Sequence, residues 1–559
     1  MLTSLSIGNF KAFGEIQTIP IRPITLIFGA NSSGKSSIIH SLLLANHALE
    51  TGNWSVHRTA QGGDSMDLGG FGAYVHRHDL ATPVTLGFGL STAEDRLDTH
   101  LSLRVGTSVS LRLDIGSEVD NLGNRLREGA PSILRGSLRV GEGEPVNFVN
   151  RRSKSVLETL DSDNEGALLE WDRGGYSVDC LQADHPAANG LAGPRESRRD
   201  ESLVLRDVPR HRASLEWQRP YVDVSLEIGA GDLIPCRLKY FGKDEDLKAQ
   251  LFRPSLPDNA VDPRCRVIRS LEHLVQDVNR VVSDDLKTLQ YLGPLRSFPA
   301  RYFELEDSND PNWAAGGASA WDVLRLDDAI RTKVNEWLGT KWLQTPYDLT
   351  TKSFLNLEAA RRAIADELFA LREDFPRKEQ FKTEEPAAEL VDLLLRNGSL
   401  EWRRSLALQD RCNGTTVSHR DVGLGISQVI PVLVHSCAGK KKLVAIEQPE
   451  LHLHPAMQAE LGDVFIESAL GERKNTFLLE THSEHLILRI MRRIRETHLG
   501  KLPKEKNLPP VRPSDVAVLY VEKQGPRSIV REFPLNERGE LVKAWPGGFF
   551  EEDLREVLG

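Results

Sequence analysis

Apolar positions in this chain follow two spacings, and each spacing predicts a kind of element. Short runs that are continuous or alternate with period two read as strands. Near the start these are Leu5 with Ile7, Ile16 to Ile19, and Ile24 to Phe28. A β-rich stretch opens at Asp67 to Phe71 and Tyr74 to His76, and continues through Val84 to Phe88, Leu101 to Val105 and Leu111 to Ile115. Further strand-like pieces are Ile133 to Val140, Tyr221 to Leu226, Leu286 to Leu292, Leu443 to Ile446, Thr476 to Leu479, Val516 to Val521 and Val530 to Phe533. Helical spacing appears after Ser36, along Val267, Ile268, Leu271, Leu274, Val275, Val278 and Val281, and from Val429 to Val434. Residues 315–405 read as mainly helical, with candidates at Trp321 to Leu338, Leu357 to Leu371 and Ala387 to Leu395. No heptad persists over several turns, so a long coiled coil is not expected.

One strand-to-helix junction carries chemistry. Gly29-Ala30-Asn31-Ser32-Ser33-Gly34-Lys35-Ser36 matches G-x-x-x-x-G-K-[ST] in full, between the run ending at Phe28 and the helix that Ser37 opens. Glycines at 29 and 34 let backbone N–H groups crowd phosphate oxygens. Lys35 supplies a point charge for the β/γ-phosphates, and the Ser36 hydroxyl can ligate Mg²⁺. The helix N-terminus adds its dipole. A bound nucleoside triphosphate, ATP with Mg²⁺, is the implied cofactor.

Composition narrows the setting. At 559 residues the chain is long enough for more than one domain. A net charge of −10 argues against nucleic acid coating the whole surface, and leaves room for one basic face. Five scattered cysteines, with no C-x-x-C, suit a reducing compartment rather than a disulfide framework. No signal-peptide layout or membrane-length apolar run is present, so a cytoplasmic protein without a membrane partner is expected.

Other segments bear on the same pocket. Leu443 to Ile446 ends in Glu447, as a Walker B strand does, and its acid can hold the metal's water shell. Gln448, Glu450, His452 and His454 follow it closely; the two histidines alone make a poor zinc set. Gly423, Gly425 and Ser427 at a helix start form a second candidate anion nest. Thr476 to Glu480 ends at His482, which can sense a γ-phosphate. Asn9-Phe10-Lys11-Ala12-Phe13 reads equally as a hairpin turn with two core aromatics or as a nucleotide contact through Lys11. Arg296 and Arg301 lie after a strand end, able to reach a bound phosphate or a partner subunit's site, or to pair with a surface carboxylate. Two arginine-rich runs, Arg195 to Arg212 and Arg489 to Arg495 with Lys501, Lys504 and Lys506, read as solvated faces or as contacts for DNA or RNA.

The order P-loop, Gly-Ser nest, Walker B, strand-His resembles the ABC-type ATPase head of transporters, the SMC and RecF groups and the overcoming-lysogenization-defect (OLD) ATPases. Asn9 to Phe13, Glu447 to Pro455 and Thr481-His482-Ser483-Glu484-His485 resemble the OLD-like branch, which includes ATPase subunits of anti-phage systems such as Septu and PARIS. Trp545 to Glu552 resembles a little-characterised C-terminal module of some of these ATPases. The resemblance implies an α/β fold: an ABC-type head with a mixed P-loop sheet and an antiparallel β subdomain, plus a β-rich insertion and a helical arm. The expected division is 1–120 (first half of the head), 121–284 (β-rich insertion), 285–314 (return to the head), 315–410 (helical arm), 411–510 (second half of the head) and 511–559 (C-terminal module).

The resemblance further implies a head-to-tail, ATP-dependent dimer or a higher oligomer. Gly29, Asn31, Ser32, Ser33, Gly34, Lys35, Ser36, Ser37 and Lys11 would then bind nucleotide. Ser427 would be the signature serine acting across the dimer, Ser36 and Glu447 would hold the metal, and His482 would be the switch histidine. Gln448 departs from the pattern, because the usual residue there is the catalytic Glu. An amide cannot take a proton at neutral pH, so slow hydrolysis is expected unless Glu450 substitutes. The stretch after His482 is too short for the TOPRIM nuclease of OLD proteins. A separate effector, a nuclease in another chain, is therefore the expected partner, and a RecF-like DNA-repair ATPase is the alternative.

Overall fold

The computed structural model describes residues 1–91, 106–117, 131–141, 146–150, 176–178, 224–228, 232–234, 236–240, 248–249, 252, 263–296, 312–355, 402–417 and 422–545. Strands β1 (Leu2–Gly8) and β2 (Gln17–Pro20) belong to an antiparallel sheet, and β3 (Ile24–Gly29) leads into the P-loop. The antiparallel sheet continues through β4 (Val84–Ser91), β5 (Ser108–Ser117), β6 (Pro131–Val140), β7 (Val146–Asn150), β8 (Tyr176–Val178), β9 (Val224–Glu227) and β10 (Arg237–Tyr240), in the order β10-β9-β8-β7-β6-β5-β4-β1-β2.

A second sheet carries the P-loop. It joins β3 to β11 (Leu289–Leu292), β15 (Leu443–Glu447), β16 (Thr476–Glu480), β17 (Val516–Gln524) and β18 (Arg527–Glu532), in the order β11-β15-β16-β3-β17-β18. All neighbours are parallel except β18, which runs against β17. The third sheet is antiparallel: β12 (Tyr347–Leu355), β13 (Trp402–Asp410) and β14 (Thr416–Val417).

The P-loop sheet is covered on both sides, which is why its strands read as unbroken apolar runs. One face (Ile27, Leu443, Ala445, Leu478, Ala517, Leu519) joins a core with the antiparallel sheet and with helices α1 (Lys35–Thr51) and, after the four-residue helix α2 (Phe71–Tyr74), α3 (Pro263–Lys287). The alternate residues (Leu26, Phe28, Val444, Ile446, Phe477, Leu479) join a second core. That core holds α4 (Ala318–Leu326), α5 (Asp328–Leu338), α6 (Leu424–Cys437), α7 (Pro455–Leu470) and α8 (Glu484–His498). Each Leu, Ile or Phe fully removed from water here contributes about 1.5–3 kcal/mol.

Several expectations change. Residues 71–78 form helical turns rather than strand, and the strand expected from Leu286 starts at Leu289, because α3 runs on to Lys287. The stretch from 315 to 405 is not mainly helical where it is described. Asp327 breaks the Trp321 to Leu338 helix by capping α5, its side chain accepting from the Ala329 and Ile330 N–H groups. Beyond it, β12 and β13 alternate with period two and pair over nine residues, a strand signal that helix propensity obscured. Leu101 to Val105, the Arg195 to Arg212 run, Arg301, Leu357 to Leu371, Ala387 to Leu395, Pro546 to Glu552 and most of 121–260 lie outside the described residues. No described helix is long and apolar enough to cross a membrane.

Candidate functional site

The P-loop geometry follows from its glycines. Gly29 (φ 148°) and Gly34 (φ 98°) adopt backbone angles that side chains disfavour. A Cβ on Gly29 would stand 2.4 Å from the Val521 carbonyl oxygen, and one on Gly34 would stand 2.4 Å from Ala12 Cβ. Gly34 caps α1, so the loop's amides run into a helix N-terminus. Lys35 is buried and its ammonium donates to the carbonyls of Gly29 (3.1 Å) and Ala30 (3.0 Å). Burial lowers its pKa, and the charges of Glu480, Glu447 and Glu450 pull it back up. Ser37 is buried in the first turn of α1, whereas Asn31 and Ser32 are exposed at the loop's tip. Ser33 Oγ is buried with no hydrogen-bond partner, a polar atom left for something the loop encloses.

The parallel register then sets three strand ends side by side. Glu447 pairs in register with Glu480, and Glu480 with Ile27 of the P-loop strand, so β16 stands between β15 and β3. The consequence bears on the acids beside the loop. Ser36 Oγ donates to Glu480 Oε2 at 2.7 Å, and Lys35 Nζ lies 3.8 Å from Glu480 Oε1. Glu447 Oε1 instead accepts from the Tyr291 hydroxyl at 2.9 Å and faces His40 Nε2 at 3.5 Å. The intervening strand puts Glu480, not Glu447, against the P-loop serine. Burial and the neighbouring Glu447 charge raise the Glu480 pKa.

Glu450 does not sit as a free base. Its carboxylate accepts from the Thr481 hydroxyl at 2.8 Å and from the His482 N–H at 2.7 Å, so both oxygens fix the turn that carries His482. Arg296 neither reaches outward nor pairs with a surface carboxylate. Buried, it donates to the backbone carbonyls of Glu447 (3.0 Å), Gln448 (2.8 Å) and Gln428 (3.2 Å), tying the Walker B turn to α6. Burial pushes its pKa down to about 10, with Glu450 opposing. In the Lys11 segment Phe10 and Phe13 are fully buried, and Lys11 Nζ lies 2.7 Å from Nδ1 of His40, whose Nε2 faces Glu447. Burial lowers Lys11 to about 8, partly offset by Glu447 and Asp67.

With this arrangement in view, the comparisons bear on its chemistry. Residues 326–487 match the AAA ATPase domain family. That stretch holds Glu447, Gln448, Glu450, Glu480 and His482; the P-loop lies before it. Residues 511–558 match a family described as a protein of unknown function, DUF3696. No curated protein matches the chain. Among solved structures, the chain is similar to an SMC head bound to the C-winged-helix domain of ScpA, at 11% identity and a TM-score of 0.35, over 96% of this chain and 98% of that one. It is also similar to a Pyrococcus furiosus SMC head bound to the C-terminal domain of ScpA (11%, TM-score 0.34, 100% and 99%) and to the Thermotoga maritima SMC head (8%, TM-score 0.32, 96% and 99%). At such TM-scores the likeness decides nothing about mechanism.

The DUF3696-matching segment forms one wall of the loop. Its strand β17 pairs with β3, and in β18 Ser528 donates from Oγ to the Ser33 carbonyl at 2.6 Å and from N–H to Ala12 O at 2.9 Å. On the other side His482, half-buried, keeps an Nε2 without a hydrogen-bond partner. Burial and then Lys35 lower its pKa, which favours the neutral imidazole. Gln448 holds a left-handed backbone (φ 47°), its N–H bonded to Glu480 O at 2.7 Å.

Ser427 is not at the helix start. α6 begins at Leu424 with Gly423 as cap, which places Ser427 a turn in, where it is buried at 2% exposure. The residues from Val422 to Ile426 just before it keep surface. Three cations of the Arg489 to Lys506 run turn inward, while Arg492, Arg495, Lys501 and Lys504 stay exposed. Arg489, Arg493 and Lys506 converge on Asp463 and, for Arg489 and Lys506, on Glu460, so these cations serve an internal ion cluster rather than an open face. His452 and His454 are exposed, and among the described residues no group of three or more His, Cys, Asp or Glu could hold a metal.

The acid against Ser36 that sequence reasoning did not single out is Glu480. Its signal was present, since Thr476 to Glu480 is an apolar run ending in an acid, as Leu443 to Glu447 is. The site fits Mg²⁺ with a triphosphate on its donor set: one hydroxyl and buried carboxylates beside a phosphate-type loop, with an orphaned hydroxyl at Ser33.

Proposed function

We propose that this chain binds ATP with Mg²⁺ at the P-loop and hydrolyses it slowly. The observation that carries the reading is the juxtaposition of Lys35 and Ser36 with carboxylates at two adjoining strand ends. The AAA ATPase match over 326–487 supports it independently of the P-loop. Ser36 with the neighbouring carboxylates would hold the Mg²⁺, which would supply charge neutralisation at the phosphates. Loop amides and Lys35 grip the phosphates, Glu450 sets the height of His482, and His482 orients the γ-phosphate end. Gln448 orients water without taking its proton, which keeps turnover low. Gln448→Glu is expected to raise steady-state phosphate release on the order of 10²-fold. An unchanged rate would mean that a base is already present, and the slow-turnover reading would fall.

In the same reading, the chain pairs head to tail around ATP, with the α6 entry facing the partner's nucleotide. It serves as the regulatory ATPase of a prokaryotic anti-phage complex and controls a separate nuclease effector. The support is the resemblance of Asn9 to Phe13, Glu447 to Pro455 and Thr481 to His485 to OLD-like ATPases. Direct action on DNA, the alternative, draws less support, because Arg489, Arg493 and Lys506 are engaged with Asp463. Expression with the adjacent gene product separates the two. Stable co-purification without salt-sensitive DNA binding is expected; DNA binding by the lone chain would favour repair.

A further inference from the structure

We propose that Glu480 is the carboxylate that holds the divalent cation beside Ser36, with Glu447 standing behind it. The inference deepens the ATP-site reading and rests on it. A magnesium site in a P-loop protein takes one loop hydroxyl, one or two carboxylates, phosphate oxygens and water. The hydroxyl here is Ser36 Oγ, and the carboxylate it touches is Glu480, at 2.7 Å. Glu480 stands at the end of the strand next to the P-loop strand, whereas Glu447 is one strand further away. Tyr291 and His40 hold Glu447 from its own side: the Tyr291 hydroxyl donates to Oε1 at 2.9 Å, and Lys11 fixes the His40 ring through Nδ1. The buried Ser33 Oγ, without a hydrogen-bond partner inside the same loop, marks independently where a ligand's oxygens belong. A Ser–Glu pair already in contact also has little to rearrange when a cation enters between it and a phosphate.

Mn²⁺ is the probe. Its affinity for the full chain, saturated with a non-hydrolysable ATP analogue, is read by electron paramagnetic resonance, and analogue affinity is read separately in excess chelator. Glu480→Gln is expected to weaken Mn²⁺ binding at least about tenfold without weakening metal-free nucleotide affinity, and Glu447→Gln to weaken Mn²⁺ binding less. Wild-type Mn²⁺ affinity in Glu480→Gln, or an equal or larger loss in Glu447→Gln, overturns the assignment. Should Glu480→Gln fail to fold, Glu480→Asp carries the same test, since its carboxylate falls one methylene short and undiminished Mn²⁺ affinity again refutes the proposal. If the wild-type chain does not bind the analogue at all, the nucleotide reading has failed, a result distinct from any difference between the two glutamates.

Discussion

Lys35→Ala is expected to lower ATP affinity by about 10²-fold or more, the loss of about 3 kcal/mol expected when one partner of a buried charge contact is removed. Lys35 is only 4% exposed, and its ammonium is bonded to the loop's own Gly29 and Ala30 carbonyls. Those carbonyls hold it in place without neutralising it, so its charge remains for a phosphate. Around it stand Glu480, Glu447 and Glu450, each of which favours the charged form against the cost of burial. Removing the cation leaves these acids facing an incoming triphosphate with like charge, which magnifies the effect. Titration with a fluorescent ATP analogue reads the change directly; near-wild-type affinity in Lys35→Ala would remove the P-loop from the binding site.

Asp463→Ala is expected to destabilise the chain by about 3–5 kcal/mol, the usual cost of breaking a buried ion pair by deleting one partner. Asp463 is fully buried between α7 and α8. Arg493 grips both its oxygens, through Nε and Nη2 at 2.7 Å each, while Arg489 (2.8 Å) and Lys506 (2.7 Å) share Oδ2. Deletion opens a cavity and takes from the three cations their shared buried carboxylate, leaving Glu460 and Glu496 beside them. Burial by itself would raise the Asp463 pKa, but the bonds from Arg493 and Lys506 outweigh it and carry the pKa below the ordinary carboxylate range. Because the folded value is depressed, this stabilisation is complete above the unfolded pKa of about 3.9 and is lost as pH falls through the lower folded one. The stability gap between wild type and Asp463→Ala should therefore be constant at neutral pH and shrink under strong acid. Denaturant melts across pH check both; a gap below about 1 kcal/mol at pH 7 would show that the cluster is ordinary surface pairing.

The arginine run shows why some of this was not legible beforehand. Arg489, Arg492 and Arg493 look like a basic face on one helix, and helical spacing is all that a sequence reveals of them. The partners of Arg489 and Arg493, Glu460 and Asp463, lie on α7, on the far side of β16 in the chain, while Arg492 pairs with Glu496 on its own helix. The same limit applies to Arg296, whose partners are backbone carbonyls more than a hundred residues away and carry no sequence mark.

Local physics was enough to determine the nucleotide loop and the strands beneath it. Gly29 and Gly34, the lysine and serine that follow, and the doubly buried apolar runs obey short-range steric and solvation rules. Only the tertiary structure decided which acid stands against Ser36. Glu447 and Glu480 end near-identical runs, and the choice between them depends on strand order across the sheet, a long-range packing outcome that inserts β16 next to β3. Long-range packing likewise drew Glu450 onto the His482 turn and buried Ser427 within α6, because hydrogen bonds between distant segments are set by how the layers meet.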